Sequence, residues 1–336
     1  MIEILLLFSL VISFLLTVIV LPFWIKKTKQ IGFLWEDMNK YKHPKNISAS
    51  GGIVVVISFV LGVLYYMAIR TFLIESGNGI SLEIFALLSV ILILALIGII
   101  DDLFGWKRGG LSARVRLALA FMASIPLVVI NAGSSSMSVP FLGIINFGIL
   151  YPLLLIPVGI AGATTTYNFL AGYNGLESSQ GILILSFLSF VAYKTGSAWL
   201  SLIGLIMVAA LFGFHIFNKY PAKVFPGDSI TWATGALIAG MAILGNFEKI
   251  AAFVFIPYII ETVLKSRGKL KKHSFAKPNK DGSLEMPYKK IYGLEHLAIL
   301  ILKKYKPSKK VYEKEVVYLI NGFQILVILI GFLIFF

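Results

Sequence analysis

Residues 84–116 read IFALLSVILILALIGIIDDLFGWKRGGLSARVR. Uncharged, almost entirely apolar residues fill 84–100, and the run stops on the pair Asp101 and Asp102. Crossing a hydrocarbon core of ~30 Å takes roughly 20 such residues, so this segment, extended back to 82, reads as a membrane span with two carboxylates at its mouth. Outward from it, nine further stretches have the same character, giving expected spans at 2–25, 52–74, 82–100, 115–131, 147–166, 181–195, 197–217, 229–245, 247–265 and 316–336. The stretch 181–195 is short and also reads as a tilted or partly re-entrant segment. With 58% hydrophobic and 14% charged residues in 336, the chain has too little polar surface to coat a soluble globule. The expected class is all-α, a polytopic integral membrane protein of about ten transmembrane helices.

Charge placement orients it. No basic residue precedes the first apolar run, and Lys26, Lys27 and Lys29 follow it, so the N-terminus is expected outside and no cleaved signal peptide is expected. Segments 26–51, 101–114, 167–180, 218–228 and 266–315 then face the cytoplasm. With Arg116 and Lys265 at their borders, they hold 27 of the 30 Lys and Arg, leaving Arg70, Lys194 and Lys249 outside. Both termini are expected outside. The net charge of +14 therefore reads as a bias toward one membrane face and toward phosphate-bearing or anionic lipid partners, not toward nucleic acid. No repeat or Pro-rich linker divides residues 1–336, so one polytopic domain is expected, with 266–315 as its sizeable cytoplasmic loop. That loop carries the basic run KSRGKLKKH and an apolar periodic stretch around Leu294 to Leu302.

Only 16 acidic residues exist, and those at the ends of apolar spans are informative because ionised groups there are costly without a partner or a function. Asp101 and Asp102 are followed by Arg114 and Arg116, which suit carboxylate or phosphate; a helix simply ending at water would also account for the acids. Residues 165–181, TTYNFLAGYNGLESSQG, contain Asn168, Asn174 and Glu177 with no basic residue, and interhelical hydrogen bonding is the plainer account. Asp228 opens the span after YPAKVFPG, where an N-cap is the ordinary reading. Oxygen donors with few histidines suit a hard ion such as Mg²⁺, with Mn²⁺ as a substitute, and a metal of that kind beside Lys and Arg points to phosphoryl transfer. There is no cysteine, no phosphate-binding loop ending in Gly-Lys-Ser/Thr, and no paired histidines at helical spacing, so those catalytic templates fail. His273, in KLKKHSFAK, is the histidine that suits a phosphate or sugar contact. A polytopic carrier is the rival class; it predicts ionisable groups near the bilayer midplane, whereas these gather at one face.

DMNKYKHPKNISASGG (37–52), DDLFGWKRGGLSARVR (101–116), NFLAGYNGLESSQG (168–181) and VFPGDS (224–229), followed by KKHSFAK (271–277) and GSLEMPY (282–288), together resemble the motif set of the polyprenyl-phosphate N-acetylhexosamine-1-phosphate transferases. The order is kept over roughly residues 35–290. The resemblance implies ten spans with a cytosolic active site, and attack by a lipid phosphate on the β-phosphorus of a UDP-sugar with release of UMP. It implies Asn168 and Asp228 as metal ligands, Asn174 as a uridine contact, Asp101 and Asp102 as the essential pair with Asp101 acting on the lipid phosphate, and Arg116 on the diphosphate. Glu177, Arg114, His273 and Lys277 complete the implied substrate contacts. Asn-Gly-Leu-Glu at 174–177 is similar to the eukaryotic dolichyl-phosphate branch, which implies UDP-N-acetylglucosamine as donor and a polyprenyl or dolichyl phosphate as acceptor. Another N-acetyl sugar or a muropeptide donor is the alternative. Thr165 stands where many members carry Asn, and Ser274 with Lys277 replaces an arginine-rich clamp. The combination suggests an archaeal plasma membrane rather than an endoplasmic reticulum, with a homodimer among the allowed assemblies.

Overall fold

The computed structural model describes residues 2–74, 78–139 and 143–336. Its first half comprises α1 (Ile2–Ile31), β1 (Leu34–Glu36), β2 (Lys45–Ser48), α2 (Gly52–Ile69), α3 (Asn78–Arg108), α4 (Ala113–Ala123), α5 (Ile125–Val129), β3 (Ser136–Val139) and β4 (Gly143–Asn146). There follow α6 (Ile156–Tyr167), α7 (Leu176–Lys194), α8 (Ala198–Asn218), α9 (Asp228–Gly245), α10 (Glu248–Val254), α11 (Ile256–Arg267), β5 (Lys277–Pro278), β6 (Leu284–Glu285), α12 (Leu294–Tyr305) and α13 (Glu313–Phe335). The chain is mainly helical, as its composition requires, but the described residues also hold three two-stranded antiparallel sheets, β1 with β2, β3 with β4 and β5 with β6. These hairpins lie between helices, where short runs such as KNIS carry no apolar period that would have marked them.

Among the described residues, seven helices are long and apolar enough to cross a bilayer: α1, α2 with its π-helical continuation to Ile74, α3, α7, α8, α9 and α13. The remaining three expected spans, 115–131, 147–166 and 247–265, are each broken into two pieces. In each the second piece, α5, α6 or α11, has a proline in its first turn, where the missing N–H interrupts the ladder of the preceding helix and costs nothing within its own. The short stretch 181–195 proves to be part of a full helix. It starts five residues earlier, at Leu176 after Gly175, and buries Glu177, Ser178 and Gln180 along with its apolar face.

α9 is the axis of the bundle. Its middle, from Ser229 to Ile243, is buried throughout, and a helix apolar on all sides belongs inside. α2, α3, α6, α7 and α8 surround it, whereas α1 and α13 keep much of their apolar surface open, including Leu7, Phe8, Leu329 and Leu333. In a hydrocarbon solvent that exposure costs nothing. The C-termini of α3, α6 and α11 and the N-termini of α4, α7, α9 and α13 meet at one end of the bundle, and the segments joining them enclose a cavity of about 1270 Å³.

Candidate active site

The cavity is placed by backbone pairing before any side chain acts. Segment 48–52 runs against 224–226: Phe225 N–H donates to Ser48 O at 2.8 Å, Gly51 N–H to Phe225 O at 2.9 Å and Gly52 N–H to Pro226 O at 2.8 Å. This sets the start of α9 beside Ser50. Asp102, on the last turns of α3 and 7% exposed, then receives the Asp228 backbone N–H on Oδ1 at 3.0 Å and Oδ2 at 3.2 Å, and the Ser50 hydroxyl at 2.6 Å. The capping carboxylate of α9 thus comes from Asp102 across the bundle and not from Asp228, leaving the Asp228 side chain for other work.

Asp228 Oδ1 accepts from Asn168 Nδ2 at 3.1 Å, and Thr231 Oγ1 donates to Asn168 Oδ1 at 3.3 Å. The Arg116 guanidinium lies 3.6 Å from Asp228 Oδ2 and donates to Asp101 Oδ2 at 3.2 Å. Asp101 also accepts the Leu111 N–H and is 6% exposed, behind the wall. Asp102, Arg116, Asn168 and Asp228 line the cavity, and Asp101 reaches it through Arg116.

The other expected site residues divide. Glu177 lines the cavity; its Oε1 accepts the Gly172 N–H at 2.8 Å, and its buried Oε2 has no protein partner. His273 and Lys277 are exposed on the cavity wall formed by the 266–293 loop, with the His273 ring against Phe275 at 6.5 Å between centroids. Asn174 lies behind the wall, 4% exposed, its N–H on Glu313 Oε1 at 2.8 Å and its side-chain amide 3.3 Å from Glu313 Oε2 and 3.4 Å from Asp37 Oδ2. Arg114 is exposed in the first turn of α4, outside the cavity lining.

Sequence reasoning missed Lys265, which lines the cavity from the end of α11, donates to Ser274 Oγ at 2.6 Å and sits 3.6 Å from Glu261 Oε1. It also missed His43, Lys45 and Trp106 on the wall. All but Lys265 stand inside quoted motifs, so position was available and role was not. Behind Lys265, Glu295 and His296 of α12 are fully buried. Burial, reinforced by the Glu261 charge, holds the Glu295 carboxyl well above the usual carboxylate range. Burial, together with the Lys265 cation, pushes the His296 ring down to about 4.

The glycosyl transferase family 4 model matches residues 84–246. A Sulfolobus acidocaldarius protein named "Putative UDP-N-acetylglucosamine--dolichyl-phosphate N-acetylglucosaminephosphotransferase" is 34% identical over 95% of this chain and 93% of its own length. The chain belongs to glycosyl transferase family 4. A Saccharolobus solfataricus protein of the same name is 35% identical to this family 4 chain, covering 87% of each. The phospho-N-acetylmuramoyl-pentapeptide-transferase of Streptococcus agalactiae is 31% identical over 75% of this chain and 76% of its own. The family match begins in α3 and ends just past α9, so it takes in Asp101, Asp102, Arg116, Asn168 and Asp228 and leaves out the loop with His273 and Lys277.

Proposed function

We propose that the chain crosses an archaeal plasma membrane ten times as one domain, with both termini outside, and works at its cytoplasmic face. There it transfers N-acetylglucosamine 1-phosphate from UDP-N-acetylglucosamine to a polyprenyl, dolichyl-type phosphate. The observation that carries the reading is the meeting of Asp228, Asn168, Asp102 and Arg116 in one cavity at the end of the bundle, in a chain two of whose archaeal relatives bear the name of that activity. Ten crossings follow if each proline-broken pair counts as one span. The cytoplasmic assignment rests on the basic segments at the cavity end.

In this reaction an oxygen of the lipid phosphate forms a bond to the β-phosphorus of the donor. The bond from that phosphorus to the bridging oxygen breaks, and UMP leaves with the electron pair. Little covalent help is needed, so the chain's task is to place two anions together. Asp228 and Asn168 would hold Mg²⁺ or Mn²⁺: a carboxylate and a side-chain amide, oxygen-bearing groups of the kind a hard ion takes, face each other at 3.1 Å in the cavity. Two protein ligands are what such an ion takes when phosphates complete its shell, and among the described residues no larger group of His, Asp or Glu gathers. When bound, the ion neutralises charge on the donor diphosphate.

Arg116 supplies a second positive group to the same diphosphate, held in place by Asp101; the action of Asp101 on the lipid phosphate runs through that guanidinium. Asp102 fixes the start of α9 and with it Asp228. Glu177, His273 and Lys277 face the donor's nucleoside and sugar, Asn174 shapes their loop from behind, and Arg114 adds to the positive field. The test is UMP release by the purified protein with Mg²⁺, polyprenyl phosphate and a panel of UDP-sugars that includes the muropeptide donor, omitting each component in turn. Release that requires both the lipid phosphate and UDP-N-acetylglucosamine is expected; release without the lipid, or none with any donor, would reject the reading.

A further inference from the structure

Two walls of the cavity face each other without being neighbours in sequence: the 169–175 segment between α6 and α7, and the 270–278 segment after α11. Long hydrogen bonds from Ser274 Oγ to Phe169 O at 3.4 Å and from the Tyr173 hydroxyl to Ser274 O at 3.5 Å cross between them, and a third side chain joins them more tightly from behind. Asn39, 1% exposed and absent from the cavity lining, donates from Nδ2 to Gly172 O at 2.9 Å and accepts the Ala276 N–H on Oδ1 at 3.0 Å. Its orientation is dictated by its partners, because a carbonyl must receive an N–H and an amide N–H must find an oxygen. The walls also touch directly. Gly172 has φ +100°, and a Cβ there would stand 2.6 Å from Phe275 Cε1, so the Phe275 ring lies flush on the loop backbone.

The turn that carries Asn39 is itself anchored. Asp37 N–H donates to Pro44 O at 3.0 Å, Lys40 N–H to Asp37 O at 3.1 Å, and Lys40 pairs with Glu313, which also receives the Asn174 N–H. A fixed turn holding both walls through one amide sets the gap between them. We propose that Asn39 is a positioning residue that fixes the separation of the 169–175 and 270–278 walls and thereby sets which sugar of a nucleoside-diphosphate donor the cavity accepts. It rests on the transferase reading above. No other side chain of this size offers one donor and one acceptor in a plane: the carboxylate of an Asn39→Asp variant keeps the acceptor for Ala276 and loses the donor for Gly172, and Asn39→Ala loses both. The walls then keep the longer Ser274–Phe169 and Tyr173–Ser274 hydrogen bonds and the Phe275 contact but lose their shorter bridge, and sub-ångström widening is enough to admit an epimer or a smaller sugar.

The experiment measures kcat and KM for UDP-N-acetylglucosamine, UDP-N-acetylgalactosamine and UDP-glucose at saturating lipid phosphate, for the unaltered protein, Asn39→Asp, Asn39→Ala and Phe275→Leu. Asn39→Ala is expected to raise the KM for UDP-N-acetylglucosamine and to lower its kcat/KM advantage over the other donors roughly tenfold, with Asn39→Asp between. The KM for the lipid phosphate stays unchanged. Phe275→Leu leaves the Asn39 bonds intact and loosens the direct contact, so it shifts discrimination the same way even if Asn39→Ala does not fold. Discrimination that stays constant in Asn39→Asp and Phe275→Leu, or a change confined to lipid KM, overturns the inference. Absence of turnover by the unaltered protein with every donor would instead reject the transferase reading on which it rests.

Discussion

Asp102 and Asp228 are joined through the backbone: both carboxylate oxygens of Asp102 take the one N–H of Asp228, at 3.0 and 3.2 Å. The contact ties the end of α3 to the start of α9 and leaves the Asp228 side chain directed at Asn168 and Arg116. Asp102→Asn keeps the shape and half of the accepting capacity, while presenting an NH₂ group to the same N–H or to Ser50. Turnover is expected to fall roughly a hundredfold, because displacement of a reacting group by an ångström has that effect, with a smaller change in donor KM. Steady-state UMP release checks this. Loss confined to donor KM would move Asp102 from the chemistry to donor binding.

Asp228→Ala and Asn168→Ala are expected to abolish Mg²⁺-dependent turnover in a protein that still folds in detergent, since neither residue is fully buried. Asn168→Asp keeps an oxygen and is expected to retain divalent binding, read by a Mn²⁺ titration with spin-resonance detection. Near-normal UMP release by either alanine variant would contradict the proposed metal ligands.

Gly98 lies where α3 crosses α9. A Cβ there would come within 2.6 Å of both Asp228 C and Ser229 N, so the two backbones are in contact and any side chain must part them. Gly98→Ala is expected to destabilise by about 1–3 kcal/mol and to reduce turnover at the same time, because the displaced atoms belong to the first turn of α9. Gly79, in the same helix, would meet nothing within 4 Å, so Gly79→Ala serves as the control and is expected to leave both the melting temperature in detergent and turnover near normal.

The residues that the sequence placed at one membrane face do meet in the structure, and the reason is physical. Asp101, Asp102, Asn168 and Asp228 each stand where an apolar run ends, and in a bundle with short connections such ends share one layer. Hydropathy located the helices for the same reason. It could not locate the breaks at Ser124, Ile156 and Phe255, because a proline in the first turn of a new helix leaves the apolar pattern unchanged. Nor could it separate wall from support. Asn174 and Asn39 are both polar residues in loops, and only the fold shows Asn174 turned onto Glu313 and Asn39 bridging two walls. Lys265 was legible as a topology-setting charge; its approach to Ser274 depends on how the 266–293 loop folds back, which no local pattern encodes.

The buried pair on α12 is expected to make stability depend on pH in two opposite senses. His296 titrates near 4 in the folded chain against an ordinary value of about 6.5, so between those values the unfolded chain binds the proton and the folded chain does not. Stability from this group is therefore fully present above about 6.5 and is lost as pH falls toward 4. Glu295 behaves in the opposite sense: its folded value lies well above the usual carboxylate range, so its contribution is greatest in acid and declines as pH rises above the ordinary carboxylate value of about 4.3. In a melting-temperature profile taken in detergent from pH 4 to 8, His296→Gln should lessen the loss of stability as pH falls below about 6.5, and Glu295→Gln should lessen the loss as pH rises. The comparison is of slopes, so a uniform loss of stability in either variant does not obscure it. Parallel profiles for the unaltered protein and both variants would show that neither group carries the pH dependence.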